Sequence, residues 1–238
     1  MSNEVMQRWQ GFVQKITERF QLIISESDTG FSGMLADPTL DPIAFTNAMN
    51  AIELRYKDLR TKMANTFSDQ VALQLNVGMG PARKLMEDTD RWMEDTFEHW
   101  KAAWGKKHVH AMWPRVSAEL QKPVSCQKCG AALTKTVFHQ AESITCKHCN
   151  AVNSVAPDTI VYTYFAMAPL AIAEEATVHL KLAAERAQSR GVGRAELERL
   201  YREYWTAHAA ASAQILPMPP DEQKRYVESR IAQLVRYM

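Results

Sequence analysis

Four cysteines in two closely spaced pairs are the feature that most constrains what this chain can fold into. Cys126 and Cys129 form one C-x2-C pair, Cys146 and Cys149 form the other, and sixteen residues separate the inner cysteines. Each short pair can wrap one side of a metal ion, and the intervening residues can bring the two pairs together. The spacing therefore predicts a tetrahedral site with four sulfur ligands.

The residue after each second cysteine supports this prediction. Gly130 follows the first pair and Asn150 follows the second. Glycine and asparagine are the residues that most readily adopt a positive φ angle. A turn of that kind directs backbone N–H groups toward the sulfurs, so we expect both pairs to form the same metal-binding turn.

Strand-forming residues lie between and after the pairs. Leu133 to Phe138 and Ser143 to Thr145 predict the two strands of a β-hairpin, and Ala151 to Val155 predicts a third short strand. The segment 126–149 thereby resembles the zinc ribbon, a module with two cysteine turns and a β-hairpin. The resemblance covers 24 of the 238 residues.

The resemblance implies a structural Zn²⁺ ion bound by Cys126, Cys129, Cys146 and Cys149. Four thiolates leave no open coordination position for a reactive water, so zinc-dependent hydrolysis is not expected at this site. A hairpin this small cannot bury enough apolar surface to fold alone, whereas a structural zinc ion supplies about 10 to 16 kcal/mol. Iron in the same cage as a redox centre, and disulfides or a redox switch, are the alternatives that the residues leave open.

Helical periodicity dominates the residues before the cysteines. The first seam is Met6, Trp9, Val13, Ile16, Phe20 and Ile23, and the second is Phe45, Met49, Ile52, Tyr56, Leu59 and Met63, continuing weakly to about Leu75. The glycines and proline of 28–41 predict a break between the two helices, after which Asp41 and Pro42 begin the second. We expect these helices to form an antiparallel pair.

The remaining helices follow from similar signals. Gly78 to Pro81 precedes a third helix whose apolar side is Leu85, Trp92, Met93, Phe97, Trp100 and Trp104. Gly105 and Pro114 predict a kinked continuation or a second short helix up to Lys122. Beyond the ribbon, the pattern predicts a helix from Asp158 to about Ser189. Two more follow: one with Leu197, Leu200, Tyr204, Ala207, Ala211 and Ile215 on its inner side, and one from Asp221 to Tyr237.

The predicted fold is therefore mainly α, a multi-helix bundle of about six helices with a small inserted β-hairpin zinc ribbon. Residues 1–122 form the N-terminal part of the bundle, 123–156 form the inserted ribbon, and 157–238 form the C-terminal part of the same bundle. The long heptad seams also predict coiled-coil packing and a homo-oligomer.

Composition and the N-terminal residues suggest a cytoplasmic protein. Hydrophobic residues make up 46% and charged residues 23% of the chain, with a formal net charge of +1, which is typical of a globular protein. The first residues lack the pattern of a secretory signal peptide. The apolar stretch from Ile160 to Ala173 is shorter than the roughly 18 to 20 residues that span a bilayer. We therefore expect no association with a membrane.

The neutral total hides a basic segment. Residues 99–149 hold eight lysines and arginines against two acidic residues. Lys106, Lys107, Lys128, Lys147 and Trp113 are the candidate contacts for an anionic partner such as a nucleic acid, because basic and aromatic side chains together can hold phosphates and stack bases. The alternative is that these lysines serve a helix end and offset the negative charge of the metal site.

No catalytic residue is predicted. The chain has no phosphate-binding glycine loop, no H-E-x-x-H and no G-x-S-x-G motif, and all four cysteines are assigned to the metal. The sequence favours a non-enzymatic adaptor or scaffold whose zinc ribbon binds a protein partner. A nucleic-acid-binding or regulatory protein is the first alternative, and an enzyme with an active site between helices is the second.

Overall fold

The computed structural model describes residues 2–75 and 79–236. Within these residues the chain forms six long helices and two small two-stranded sheets, so the fold is mainly α. The first helices are α1 (Ser2–Ala36) and α2 (Pro42–Thr66), which continues through a π-helical turn (Phe67–Ala72) into α3 (Leu73–Leu75). They are followed by α4 (Met79–Leu120), α5 (Thr159–Ser189), α6 (Arg194–Ser212) and α7 (Pro220–Arg236).

Four short strands lie between α4 and α5. Strand β1 (Val124–Ser125) pairs antiparallel with β2 (Ala132–Leu133), and β3 (Glu142–Thr145) pairs antiparallel with β4 (Val152–Val155). The chain divides into two compact units, residues 1–104 and 105–238. Helix α4 contributes its first part to one unit and its last part to the other. That residues 1–122 and 157–238 form one bundle stays a prediction.

The first unit is built around the two predicted seams. Trp9, Phe20 and Phe31 of α1 lie against Phe67, Tyr56 and Phe45 respectively, with ring centroids 4.8–5.9 Å apart. As the residue number rises along α1, the number of its partner falls along α2 and the π-helical turn. This order confirms that the two helices are antiparallel. The first seam is itself buried, because Trp9, Val13, Ile16, Phe20 and Ile23 are each at most 4% exposed. This seam therefore packs within the chain.

The helix break predicted over residues 28–41 is wrong for most of that range. Helix α1 continues to Ala36, and only a short turn separates it from Asp41. Phe31 is 3% exposed, and one carboxylate oxygen of Asp28 accepts both indole N–H groups of Trp100 and Trp104 at 2.7 Å. Burying Phe31 is worth about 1.5–3 kcal/mol, which together with these hydrogen bonds outweighs about 0.5–1 kcal/mol for each helical glycine. Tertiary packing thus overrides the local signal.

The predicted helix starts are confirmed at Asp41 and Asp158. The Asp41 carboxylate accepts the backbone N–H of Ile43 at 2.9 Å, and Asp158 accepts that of Ile160 at 2.9 Å. Helix α4 is one continuous element of 42 residues that includes Gly105 and Pro114. Gly78, part of the signal predicted to precede α4, and Tyr237, the predicted end of the last helix, lie outside the described residues.

In the second unit, α5 packs on the part of α4 that follows Trp104, α6 packs on α5, and α7 packs on α6. One hydrophobic cluster joins Val109, Met112 and Val116 of α4 to Val161, Tyr164 and Ala168 of α5. Small residues let α5 and α6 approach closely, and Ser212 Oγ of α6 donates to the Pro169 carbonyl of α5 at 3.0 Å. Helix α7 adds Val227 and Ile231 against Ala209. No helix in the described part of the chain is long and apolar enough to cross a membrane.

Candidate metal centre

The strands around the cysteines differ from the predicted hairpin. The sequence predicts that Leu133 to Phe138 pairs with Ser143 to Thr145. In the structure only Ala132–Leu133 forms a strand there, and it pairs with the strand before it in the chain, Val124–Ser125. Each cysteine turn closes its own hairpin, because Cys126 N–H donates to the Ala131 carbonyl and Cys146 N–H donates to the Ala151 carbonyl, both at 2.8 Å. The strand expected at the end of the segment is present as β4.

Two of the backbone donors between the hairpins bind a side chain and not a neighbouring strand. The Glu142 carboxylate accepts the N–H and hydroxyl of Thr136 at 2.9 and 2.6 Å and the N–H of Val137 at 3.4 Å. These hydrogen bonds lower the pKa of Glu142, led by the side-chain bond from Thr136. The carboxylate thus satisfies donors that a strand ladder would use.

The four cysteine sulfurs converge. All four Sγ atoms lie within 4.8 Å of one another, with Cys126 and Cys149 3.6 Å apart and Cys129 and Cys146 3.7 Å apart. A tetrahedron with metal–sulfur bonds of about 2.3 Å has edges of about 3.8 Å. These two sulfur separations therefore match the edges of a tetrahedral thiolate site.

The two turns repeat each other at an offset of twenty residues, and we call them the knuckles 126–130 and 146–150. Gly130 has φ of 73° and Asn150 has φ of 56°, which confirms the positive φ predicted for both. Gly130 N–H donates to the Cys126 carbonyl, and Asn150 N–H donates to the Cys146 carbonyl, each at 2.9 Å. The same backbone geometry therefore presents each pair of sulfurs.

Backbone N–H groups stabilise two of the sulfurs as thiolates. Donation from the N–H groups of Cys129 and Lys128 lowers the pKa of Cys126 to about 6. Donation from the N–H groups of Cys149 and His148 likewise lowers the pKa of Cys146. A metal ligand must be deprotonated, so these bonds favour the form that binds a cation.

The pKa of Cys149 reflects the repulsion between thiolates that lie close together. The N–H of Ala151 lowers the pKa of Cys149, but the neighbouring sulfur of Cys129, desolvation, and the sulfurs of Cys126 and Cys146 together raise it to about 12. Charges of one sign at this separation cannot all ionise without a counter-charge. The arrangement fits a cation at the centre of the four sulfurs.

Asn153 is a site residue that the sequence reasoning missed. Its side chain is 3% exposed, its Oδ1 accepts the backbone N–H of Gln127 at 2.9 Å, and its Nδ2 donates to the Ala151 carbonyl at 3.0 Å. It also contributes a hydrogen bond that lowers the pKa of Cys126, after the larger contributions from backbone N–H groups. Asn153 therefore ties the second hairpin to the first knuckle. Its place inside the predicted strand from Ala151 to Val155, where its amide needs a partner, was the available signal.

The basic candidate residues lie on several elements. Lys106 of α4 forms an ion pair with Glu175 of α5 at 2.8 Å, whereas Lys107 is exposed on α4. Lys128 and Lys147 are exposed, one on each knuckle. Trp113 is 44% exposed and lies against Tyr164, with ring centroids 5.3 Å apart. Part of the basic segment is thus used within the fold.

Comparison with protein families, with curated proteins and with solved structures finds no match for this chain. The resemblance to a zinc ribbon therefore depends on the cysteine spacing and on the geometry described above.

Proposed function

We propose that the four cysteines bind one structural Zn²⁺ ion, and that the ribbon it stabilises is a docking module of a non-enzymatic adaptor protein. The convergence of four sulfurs within 4.8 Å carries the metal assignment. Cys126, Cys129, Cys146 and Cys149 would hold the ion, and the knuckle N–H groups would stabilise their thiolate forms.

A structural role follows from coordination and size. Four sulfur ligands saturate zinc and leave no position for a substrate or a reactive water. The strands of the ribbon have only two to four residues each, and most of their side chains are exposed or half-buried. Such hairpins gain little from apolar burial, so the metal supplies most of the free energy that holds them together.

The surface of the ribbon favours a protein partner. Phe138 is 48% exposed and Val152 is 70% exposed, so the module presents two large apolar side chains to solvent. Three lysines and one glutamate give residues 123–156 a formal charge of +2, which the −2 charge of a zinc ion with four thiolates cancels. A metal-loaded ribbon with no net charge offers weak attraction to a polyanion.

The metal assignment is tested by elemental analysis of the purified full-length chain. We expect about one zinc per chain, retained through gel filtration and lost in the double variant Cys126→Ser/Cys146→Ser. That variant should keep most of its helical circular dichroism, since the helices have their own cores. Ser125→Ala/Thr145→Ala, at the exposed residues just before the same cysteines, is the matched control and should keep the metal. Absence of stoichiometric metal with freely alkylated native thiols would refute the assignment.

The docking role is tested by affinity capture from native lysate with mass spectrometry and a nucleic-acid stain. Phe138→Ser/Val152→Ser should lose a partner that the wild type retains. Leu54→Ser, which changes a 63% exposed apolar residue of the first unit, should keep it. A polynucleotide that is captured by the wild type and lost in Lys128→Glu/Lys147→Glu would instead favour the nucleic-acid alternative.

A further inference from the structure

We propose that the same four cysteines are a peroxide-sensitive modification site, at which oxidation forms the disulfides Cys126–Cys149 and Cys129–Cys146 and releases the metal. The release of zinc rests on the proposed function, whereas the pairing of the cysteines rests on the sulfur geometry alone. Four cysteines allow three pairings, and the sequence does not distinguish them.

The pairing follows from two sulfur contacts between the knuckles. Cys126 Sγ lies 3.6 Å from Cys149 Sγ, and Cys129 Sγ lies 3.7 Å from Cys146 Sγ. A disulfide bond of about 2.05 Å requires each pair to close by about 1.6 Å, which side-chain rotation and a small shift of the knuckles can supply once no metal separates the sulfurs.

Each contact joins an accessible sulfur to a buried one. Cys129 is exposed and its partner Cys146 is 1% exposed, whereas Cys149 is half-buried and its partner Cys126 is 3% exposed. A dissolved oxidant therefore reaches one member of each pair first. The other member is held within contact distance, where it can react with the oxidised sulfur before solvent does.

One molecule of hydrogen peroxide oxidises one cysteine pair to a disulfide. The Cys129 thiolate attacks hydrogen peroxide, the O–O bond breaks, and a sulfenic acid and a hydroxide ion form. The Cys146 thiolate then attacks the sulfenic sulfur, the S–O bond breaks, and a second hydroxide leaves as the disulfide forms. Two electrons pass from the two sulfurs to the peroxide. The pair Cys126 and Cys149 reacts by the same two steps, with both sulfurs ionised as metal ligands would be, so two peroxides free one zinc ion.

Pairing across the knuckles would also preserve the arrangement of the hairpins. Both disulfides connect the first hairpin to the second, so they replace the metal as the link between them. The hydrogen bond from the Gln127 N–H to Asn153 Oδ1 would then remain close to its geometry in the reduced protein. Disulfides within each knuckle would leave the hairpins without a covalent link after the metal departs.

Trypsin distinguishes all three pairings, because the chain places each cysteine in a different tryptic peptide. The peptides are 116–128, 129–135, 136–147 and 148–181, since the bond between Lys122 and Pro123 resists cleavage. The full-length protein is treated with hydrogen peroxide, remaining thiols are alkylated, and the digest is analysed without reduction. We expect 116–128 linked to 148–181 and 129–135 linked to 136–147. Links within a knuckle, links between 116–128 and 136–147, or four alkylated thiols after peroxide would overturn the proposal.

A zinc-responsive dye followed during the same reaction separates this proposal from the previous one. We expect one zinc released per two peroxides consumed, and rebinding of zinc after reduction by dithiothreitol. Protein purified without metal that still forms the expected links would refute the zinc assignment and leave the pairing intact. As a matched variant, Cys129→Ser should form only the link between 116–128 and 148–181, with Cys146 alkylated. A link between Cys146 and Cys149 in that variant would contradict the assigned contacts.

Discussion

Replacing Asn153 by alanine tests whether the metal centre depends on a residue that does not touch the metal. The change removes the acceptor of the Gln127 N–H and one donor to the Ala151 carbonyl. That carbonyl keeps its hydrogen bond from Cys146 N–H at 2.8 Å, so the main cost comes from the unpaired N–H of the first knuckle. Gln127 is exposed and this hydrogen bond is only partly buried, so water can replace part of what is lost and the net cost is about 0.5–1.5 kcal/mol.

A cost of about 1 kcal/mol corresponds to a roughly fivefold change in an equilibrium constant. Because metal binding and folding of the ribbon are linked, we expect Asn153→Ala to raise the Kd for zinc by about that factor. Competition with a chromogenic chelator measures it. Ser154→Ala is the matched control, since the neighbouring side chain is exposed on the same strand. A change below about twofold, or one equal to that of the control, would refute the role assigned to Asn153.

Three further predictions concern the helices. Asp28→Ala leaves two indole N–H groups without their acceptor and should lower the free energy of unfolding in urea by about 2–3 kcal/mol, whereas Asp28→Asn keeps an oxygen acceptor and should cost less. Burial, and to a lesser extent the charge of Arg230, lowers the pKa of His208 from 6.5 to about 4. Between pH 6.5 and about 4, the imidazole is therefore protonated in the unfolded state and neutral in the folded state. Stability should therefore fall by up to about 3 kcal/mol as pH drops from 6.5 to 4, and His208→Phe should remove that part of the slope in denaturant titrations. Pro114→Ala, at an exposed position inside α4, restores a helix hydrogen bond and should stabilise the chain by up to about 3 kcal/mol, measured as a higher Tm by circular dichroism.

The sequence predicted best where a local rule and the tertiary structure agree. The seams of α1 and α2 and the caps at Asp41 and Asp158 are local patterns whose apolar faces are also the buried ones. The positive φ angles of Gly130 and Asn150 follow from residue type at a fixed position beside a cysteine. These features need no knowledge of distant contacts.

Prediction was wrong where side chains outside the local pattern decide the local structure. Two glycines indicated a break after Asp28, but the indole groups of Trp100 and Trp104 bind that carboxylate and keep the residues helical. The predicted ribbon strand after Leu133 is wrong because Glu142, several residues away, takes the backbone donors of the loop. Neither partner can be identified from spacing alone.

The two knuckles are near copies, yet the hydrogen bond from the Gln127 N–H to Asn153 has no counterpart in the other half of the site. Counting twenty residues back from Asn153 reaches Leu133, whose side chain cannot accept a hydrogen bond. The second hairpin therefore supplies a side-chain acceptor to the first knuckle, and the first hairpin supplies none to the second knuckle from the equivalent position. A substitution at Asn153 should therefore disturb the half of the site that contains Cys126 more than the half that contains Cys146 and Cys149.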